Sequence, residues 1–239
     1  MIGVILAAGK GSRLGGLTEE KPKSLLKLNN VQTLLDYNLK VLDDLGIKDI
    51  MIVVGFEADQ IKEYVARNTR ITCIYNPFWN KCNVLGSLYM ALPYIQDDFL
   101  FLHADTLVDK KVWEEVFRNS GEIVLPYKSK KCGEEEMKIK LGANKEIIEI
   151  NKIMDADMAE GEFLGIAKFS LSMVEFFQTK SEFLFKTGEL NQYMEEVIQE
   201  AINIGKNIEL IEIGEAKFVE VDFLEDYAFA KKLFSEMEK

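Results

Sequence analysis

The sequence predicts an α/β protein: a Rossmann-like, doubly wound, mostly parallel sheet with a mixed or antiparallel C-terminal extension. Three observations predict it. Apolar runs alternate with helical patterns before Asp105, the first run is continuously apolar rather than alternating, and after Asp105 strand-like segments follow one another without long helices between them.

Residues 2–8 form an unbroken apolar run, as expected of a central parallel strand covered on both faces, and a glycine-rich turn follows. Residues 33–45 carry Leu34, Leu35, Leu39, Val41, Leu42 and Leu45 near helical spacing, with Gly46 where a C-cap would end the helix. Residues 50–54 read as the second buried strand, 58–65 as a helix, 71–75 as a strand, 84–92 as a helix and 99–102 as a strand. This β-α-β-α-β-α-β order predicts ligand binding beyond the carboxyl ends of the strands. Beyond it, 123–127, 137–141, 147–150 and 163–169 read as strands, 173–177 and 190–204 as helices, 208–213 and 218–221 as strands, and 224–234 as a closing helix.

Composition narrows the class. A chain of 239 residues that is 48% hydrophobic and 29% charged can bury a core, and three cysteines are too few for a disulfide framework. Cys73, Cys82 and Cys132 have no zinc-site spacing, and His103 is the single histidine. With 29 Lys and Arg against 40 Asp and Glu, the net charge of −11 disfavours nucleic acid, so any phosphate must meet a local basic site. No apolar run is long enough to span a membrane, and the first residues do not read as a signal peptide, so a cytoplasmic location is expected. There is no linker, repeat or low-complexity tract. Nothing fixes the oligomeric state, although an apolar helix strip is compatible with a homodimer.

The strongest motif is Leu6-Ala7-Ala8-Gly9-Lys10-Gly11-Ser12-Arg13-Leu14, followed by Lys21-Pro22-Lys23-Ser24-Leu25-Leu26. A buried strand opening into small residues lets backbone N–H groups close around phosphate oxygens, and Arg13 and Lys23 add positive charge just beyond. Leu14 stands where a dinucleotide fingerprint needs its third glycine, and no Gly-Lys-Ser/Thr occurs, so neither a pyridine-nucleotide fold nor a P-loop is indicated. Asp105 closes one apolar strand and Asp222 another, 117 positions later. Two strand-end carboxylates suit Mg²⁺, which takes one or two carboxylates together with phosphate oxygens and water.

These residues, together with Val53-Val54-Gly55-Phe56, Tyr75-Asn76, Asn80-Lys81-Cys82-Asn83-Val84-Leu85-Gly86-Ser87-Leu88 and His103-Ala104-Asp105, resemble in content and order the nucleotidyltransferases that condense a nucleoside triphosphate with a phosphorylated acceptor. The resemblance covers nearly the whole chain. It implies the sugar-phosphate or MobA-like NTP transferase fold, a nucleotide-diphospho-sugar transferase-like sheet. It further implies one domain over 1–239, with a nucleotide-binding half at 1–110 and an acceptor-binding half with closing elements at 111–239. Asp105 and Asp222 are the implied ligands of a catalytic magnesium, with Arg13 and Lys23 as catalytic cations. Leu6, Ala7, Ala8, Gly9, Lys10, Gly11, Ser12, Arg13, Lys23 and Asp105 are the expected nucleotide-binding residues, with Gly55, Asn76, Asn83 and Ser87 as candidates for reading the base.

The size of the chain and the stretch from Tyr75-Asn76 to Ser87-Leu88 look most like bacterial cytidylyltransferases of the CTP:phosphocholine type. That implies CTP as donor and a small phosphorylated amine as acceptor. Acceptors that would share the chemistry are 2-aminoethylphosphonate, a phosphorylated amino acid amide, or a sugar-1-phosphate with another nucleotide. A different class, a catalytically silent nucleotide-binding regulator, is disfavoured by the intact Arg13, Lys23, Asp105 and Asp222. An acceptor ammonium calls for carboxylates and ring faces, for which Glu162, Tyr193, Glu196 and Trp79 are the candidates. No general base is needed, since a phosphate monoester is already an anionic nucleophile. His103 is expected as a packed strand-end histidine, or else as a support beside Asp105. The run from Lys128 to Lys131, followed by Glu134, Glu135 and Glu136, reads as an exposed hairpin tip, or as a flap bringing a lysine to acceptor phosphate.

Overall fold

In the computed structural model, which describes residues 1–238, four strands lie parallel in the order β3-β2-β1-β4. They are β1 (Ile2–Ala7), β2 (Asp49–Val54), β3 (Ile71–Tyr75) and β4 (Phe99–His103). All of β1 is buried, which is why its sequence is apolar without alternation. The connecting helices are α1 (Leu34–Asp44), α2 (Ala58–Val65) and α3 (Val84–Ala91). Thr33 and Asp36 close a capping box at the start of α1, the Asp36 amide donating to Thr33 Oγ1 at 3.1 Å and the Thr33 amide to Asp36 Oδ2 at 2.8 Å. At α3 the Val84 amide donates to Asn83 Oδ1 at 2.9 Å.

The remaining elements are β5 (Thr106–Val108), α4 (Lys110–Arg118), β6 (Ile123–Ser129), β7 (Lys138–Leu141), β8 (Ile147–Asn151), β9 (Gly161–Phe163), β10 (Ile166–Phe169), α5 (Ser172–Lys186), α6 (Glu195–Asn203), β11 (Ile208–Glu212), β12 (Phe218–Glu220) and α7 (Leu224–Met237). The sheet runs on from β4 through β10, β6, β9, β7 and β8, all antiparallel pairings, while β11 lies parallel to β6. Phe99 and Phe169 face each other across β4 and β10 with stacked rings 5.0 Å apart, joining the parallel and antiparallel parts in one core. A second apolar cluster, with Leu14, Leu34, Leu107, Val219 and Phe234, packs α7 and the β5–β12 ribbon against the loop that follows β1. None of the described helices is long and apolar enough to cross a membrane.

Five expectations change. The rhythm after Asp105 includes a helix, α4, whose Val112, Trp113 and Val116 are buried while lysines and glutamates cover the rest. The segment 163–169 is two strands, broken at Gly165 with φ +71°. The helix expected at 173–177 extends to Lys186, and the one expected at 190–204 begins only at Glu195. The charged run 128–136 is not a hairpin tip, because β9 lies between β6 and β7 in the sheet.

Candidate active site

The loop after β1 turns at Gly11, whose φ of +66° favours glycine and whose missing side chain leaves room for Lys23, 3.1 Å from where a Cβ would stand. Thr18 Oγ1 donates to the Gly11 carbonyl at 2.8 Å, and the buried Leu14 fixes the short helical turn that follows. Pro22 leads into a second such turn, Lys23–Leu25, which presents the Lys23 side chain.

The convergence of Asp105 and Asp222 follows from one strand pairing. In the antiparallel ribbon Thr106 lies opposite Glu220, and the Val221 amide donates to the Asp105 carbonyl at 3.1 Å. Lys23 Nζ sits between the two carboxylates, 2.6 Å from Asp105 Oδ2 and 2.8 Å from Asp222 Oδ1, and Arg13 reaches Asp222 Oδ2 at 3.4 Å. Burial works against the Lys23 ammonium, but the charges and hydrogen bonds of Asp105 and Asp222 outweigh it and raise its pKa, so it stays protonated. Asp105 is the mirror case: burial opposes its ionisation, and Lys23 and His103 overcome it, holding the carboxyl below the usual range. Asp226 has another task, accepting from the amides of Asp222 and Phe223 at 3.1 and 2.7 Å at the start of α7.

A divalent cation fits here. Asp105 Oδ1 is buried without a hydrogen-bond partner among the described residues, and the Lys23 ammonium already marks a point where positive charge is stabilised by two carboxylates. His103, Asp105 and Glu220 also offer ligand atoms within 4.8 Å of one another.

These residues line a cavity of about 910 Å³, within the range of small-molecule sites. Leu6, Ala7, Ala8, Gly9, Gly11, Ser12, Arg13, Lys23, Asn83, Ser87, Asp105 and Asp222 border it, as do Trp79, Glu162 and Tyr193. Four expected residues do not. Lys10 lies over the Phe56 ring, 5.3 Å from its centroid. Gly55 packs beneath Trp79, where an added Cβ would stand 2.5 Å from that side chain and 2.7 Å from the Ala8 carbonyl oxygen. Asn76 is fully buried and works from behind, donating to Ser87 Oγ at 3.1 Å and accepting from the Phe78 amide at 2.9 Å. Glu196 faces solvent, and its neighbour Glu195 lines the cavity instead. Tyr193 precedes α6 rather than lying on it, with Lys152 Nζ 5.9 Å from its ring centroid.

His103 and the charged run, for which the sequence leaves a support beside Asp105 and a flap as alternatives, both line the cavity, and Glu195 joins them unanticipated. His103 is not simply packed: its Nδ1 faces Glu220 Oε1 at 3.4 Å, and although burial opposes its charge, Glu220 and Asp105 push its pKa up to about 9. Burial raises Glu195 to about 7 against the pull of His103. The segment between β6 and β7 crosses the cavity wall, with Lys130 3.0 Å from both Glu136 and Glu162, and Glu135 3.0 Å from Lys152 and 3.3 Å from Arg13. Lys138, 1% exposed, anchors it by donating to the carbonyls of Glu134 at 3.2 Å, Glu136 at 3.2 Å and Lys152 at 2.7 Å. A lysine block followed by a glutamate block is the signal of that run in the sequence.

A family model described as the MobA-like NTP transferase domain matches residues 3–152. The chain is 25% identical to a CTP:phosphoglutamine cytidylyltransferase of Campylobacter jejuni over 95% of its own length and 97% of that protein's. It is 30% identical to a choline-phosphate cytidylyltransferase of Streptococcus pneumoniae over 50% of its length and 49% of that protein's. Among solved structures, the inositol-1-phosphate CTP transferase of T. maritima superposes with a TM-score of 0.83 at 20% identity, covering 100% of this chain and 96% of that one. The CTP:phosphocholine cytidylyltransferase of Streptococcus pneumoniae superposes with a TM-score of 0.81 at 23% identity, covering 98% and 99%.

Proposed function

Since the chain belongs to the MobA-like NTP transferase domain family, we propose that it is a cytidylyltransferase that moves CMP from CTP to a small phosphorylated amine and releases pyrophosphate. The observation that carries this reading is Lys23 held between Asp105 and Asp222 at the open end of the glycine-rich turn. The two matched relatives above, both named for cytidylyl transfer, support the choice of CTP.

An acceptor phosphate oxygen attacks the α-phosphorus; the new P–O bond forms as the bond to the β-phosphate bridging oxygen breaks, and pyrophosphate carries away the electron pair. Such a transfer asks for alignment and positive charge rather than for a protein base. The turn 8–12 cradles the triphosphate with backbone N–H groups, Arg13 takes the β- and γ-phosphates, and Lys23 brings an ammonium to the α-phosphate or the acceptor phosphate. Asp105 and Asp222 would hold Mg²⁺, which supplies Lewis-acid neutralisation of the charge on the α-phosphate. Asn83 and Ser87 contact the base from the start of α3, with Asn76 holding Ser87 in place from behind.

The test is pyrophosphate release with Mg²⁺, each of the four triphosphates, and a panel of phosphoethanolamine, phosphocholine, 2-aminoethylphosphonate, phosphorylated amino acid amides and sugar-1-phosphates. CTP with an amine-bearing acceptor is expected to turn over fastest. Asp105→Asn is expected to retain the fold and lower kcat by about 10²–10³-fold, the scale of losing one preorganised charge at the reacting centre. Near-normal turnover by that variant, or equal use of all four triphosphates, would contradict the mechanism or the base preference respectively.

A further inference from the structure

The proposed chemistry leaves Glu195 without a role. It is the first residue of α6, it is 3% exposed, it lines the cavity, and its Oε2 has no hydrogen-bond partner among the described residues. The other glutamates at this end are engaged: Glu162 meets Lys130 at 3.0 Å, and Glu220 faces His103 at 3.4 Å. Buried acceptors are nearly always paired, and an open one lining a ligand cavity calls for a donor that arrives with the ligand. We propose that Glu195 is a specificity-determining residue for the acceptor, and that the acceptor's far end is a cationic amine that still carries hydrogen, a primary or secondary ammonium.

The inference rests on the nucleotidyl-transfer reading and narrows its acceptor. A lone pair in a buried site is satisfied by an N–H, and a quaternary ammonium has none to give. Quaternary groups are held instead by ring faces. Two of the rings that line the cavity already carry a cation: Lys152 lies over Tyr193 at 5.9 Å and Arg13 over Phe223 at 5.4 Å. What Glu195 adds to the cavity is a carboxylate oxygen open to an N–H donor, which a quaternary group cannot satisfy.

The experiment is calorimetric titration of the protein, with Mg²⁺ and a CTP analogue carrying methylene between the α- and β-phosphorus, using phosphoethanolamine, phosphocholine and ethyl phosphate. Phosphoethanolamine is expected to bind at least about tenfold more tightly than the other two, since a site built to bond an N–H rejects analogues lacking it. Glu195→Gln is expected to bring phosphoethanolamine down to the affinity of ethyl phosphate and leave the other two ligands unchanged. Equal binding of phosphocholine and phosphoethanolamine by the wild type, unchanged phosphoethanolamine binding by the variant, or binding of none of the three overturns the inference. Should Glu195→Gln fail to fold, the wild-type comparison still decides. The two readings fail separately: amine-selective binding without pyrophosphate release from any triphosphate sinks nucleotidyl transfer alone, whereas turnover of ethyl phosphate without amine selectivity sinks the Glu195 assignment alone.

Discussion

Glu195 carries a consequence for stability, because a buried carboxylate with an open oxygen is a liability in the free protein. Burial raises its pKa from the usual 4.5 to about 7, with His103 from β4 opposing the rise and Glu220 from β12 and Glu196 on α6 adding to it. The folded chain therefore holds this proton more tightly than the unfolded chain does. Its contribution to stability is fully present below the unfolded value of 4.5 and is lost as pH rises through about 7. At pH 8 the buried charge costs up to about 3 kcal/mol, reckoning about 1.4 kcal/mol for each tenfold change in proton affinity. Glu195→Gln is expected to melt several degrees above wild type at pH 8 and to lose most of that advantage at pH 5, as read by calorimetry without ligand. A variant that melts below wild type at pH 8 would show that Glu195 is satisfied in the free protein. Residue positions were unequally legible in the sequence. Lys23 and Asp105 stand beside apolar runs that fix where they emerge, whereas Glu195 was missed by one position. The helix was expected from residue 190, and its start at Glu195 turns Glu196 to solvent.

At the scale of elements, pairing explains what spacing did not. Asp105 and Asp222 were legible as strand-end carboxylates, but their meeting depends on β5 and β12, two three-residue strands. Of these, β5 left no separate signal after β4. The charged run misled for a different reason: lysines followed by glutamates read as a solvated tip, and only the insertion of β9 between β6 and β7 turns the run across the cavity. Lys138 then holds it by three backbone carbonyls, a use of a buried lysine that no local pattern announces. Lys138→Met keeps the bulk of the stem and removes the ammonium. It is expected to leave those carbonyls unsatisfied, at about 1–3 kcal/mol each where they stay buried, and to loosen residues 130–137. Tryptic cleavage after Lys130 or Lys131 is expected to quicken markedly in the variant, with cleavage elsewhere unchanged apart from the site that the substitution removes at 138. An unaltered digestion pattern would mean that the ion pairs of Lys130 and Glu135 suffice to hold the segment.

At the scale of the whole molecule, the chain is acidic, and the proposed reaction requires it nonetheless to receive a triphosphate. The net charge of −11 is not offset inside the cavity, where Arg13, Lys23, Lys128, Lys130, Lys152, Lys217 and the protonated His103 face a larger set of carboxylates, Asp105, Asp222, Asp226, Glu135, Glu136, Glu162, Glu195 and Glu220. Lys23, which packs against Gly11 of the glycine-rich turn, is already shared between Asp105 and Asp222. Free CTP brings further negative charge to a site whose cations are engaged, while a divalent ion on the two aspartates would release Lys23 toward phosphate and reverse the local balance. CTP with Mg²⁺ is therefore expected to stabilise the fold strongly and CTP with EDTA hardly at all. At a hundredfold excess over its dissociation constant a ligand adds about 2.7 kcal/mol. For a domain of this size that corresponds to a rise in Tm of roughly 5–10 °C at 2–4 °C per kcal/mol. Thermal melts with Mg²⁺ alone, CTP and EDTA, and CTP with Mg²⁺ separate the contributions, and Asp222→Asn is expected to abolish the synergy between metal and nucleotide. An equal rise with EDTA would place the triphosphate on Arg13 and the backbone nest alone and remove the aspartate pair from nucleotide binding.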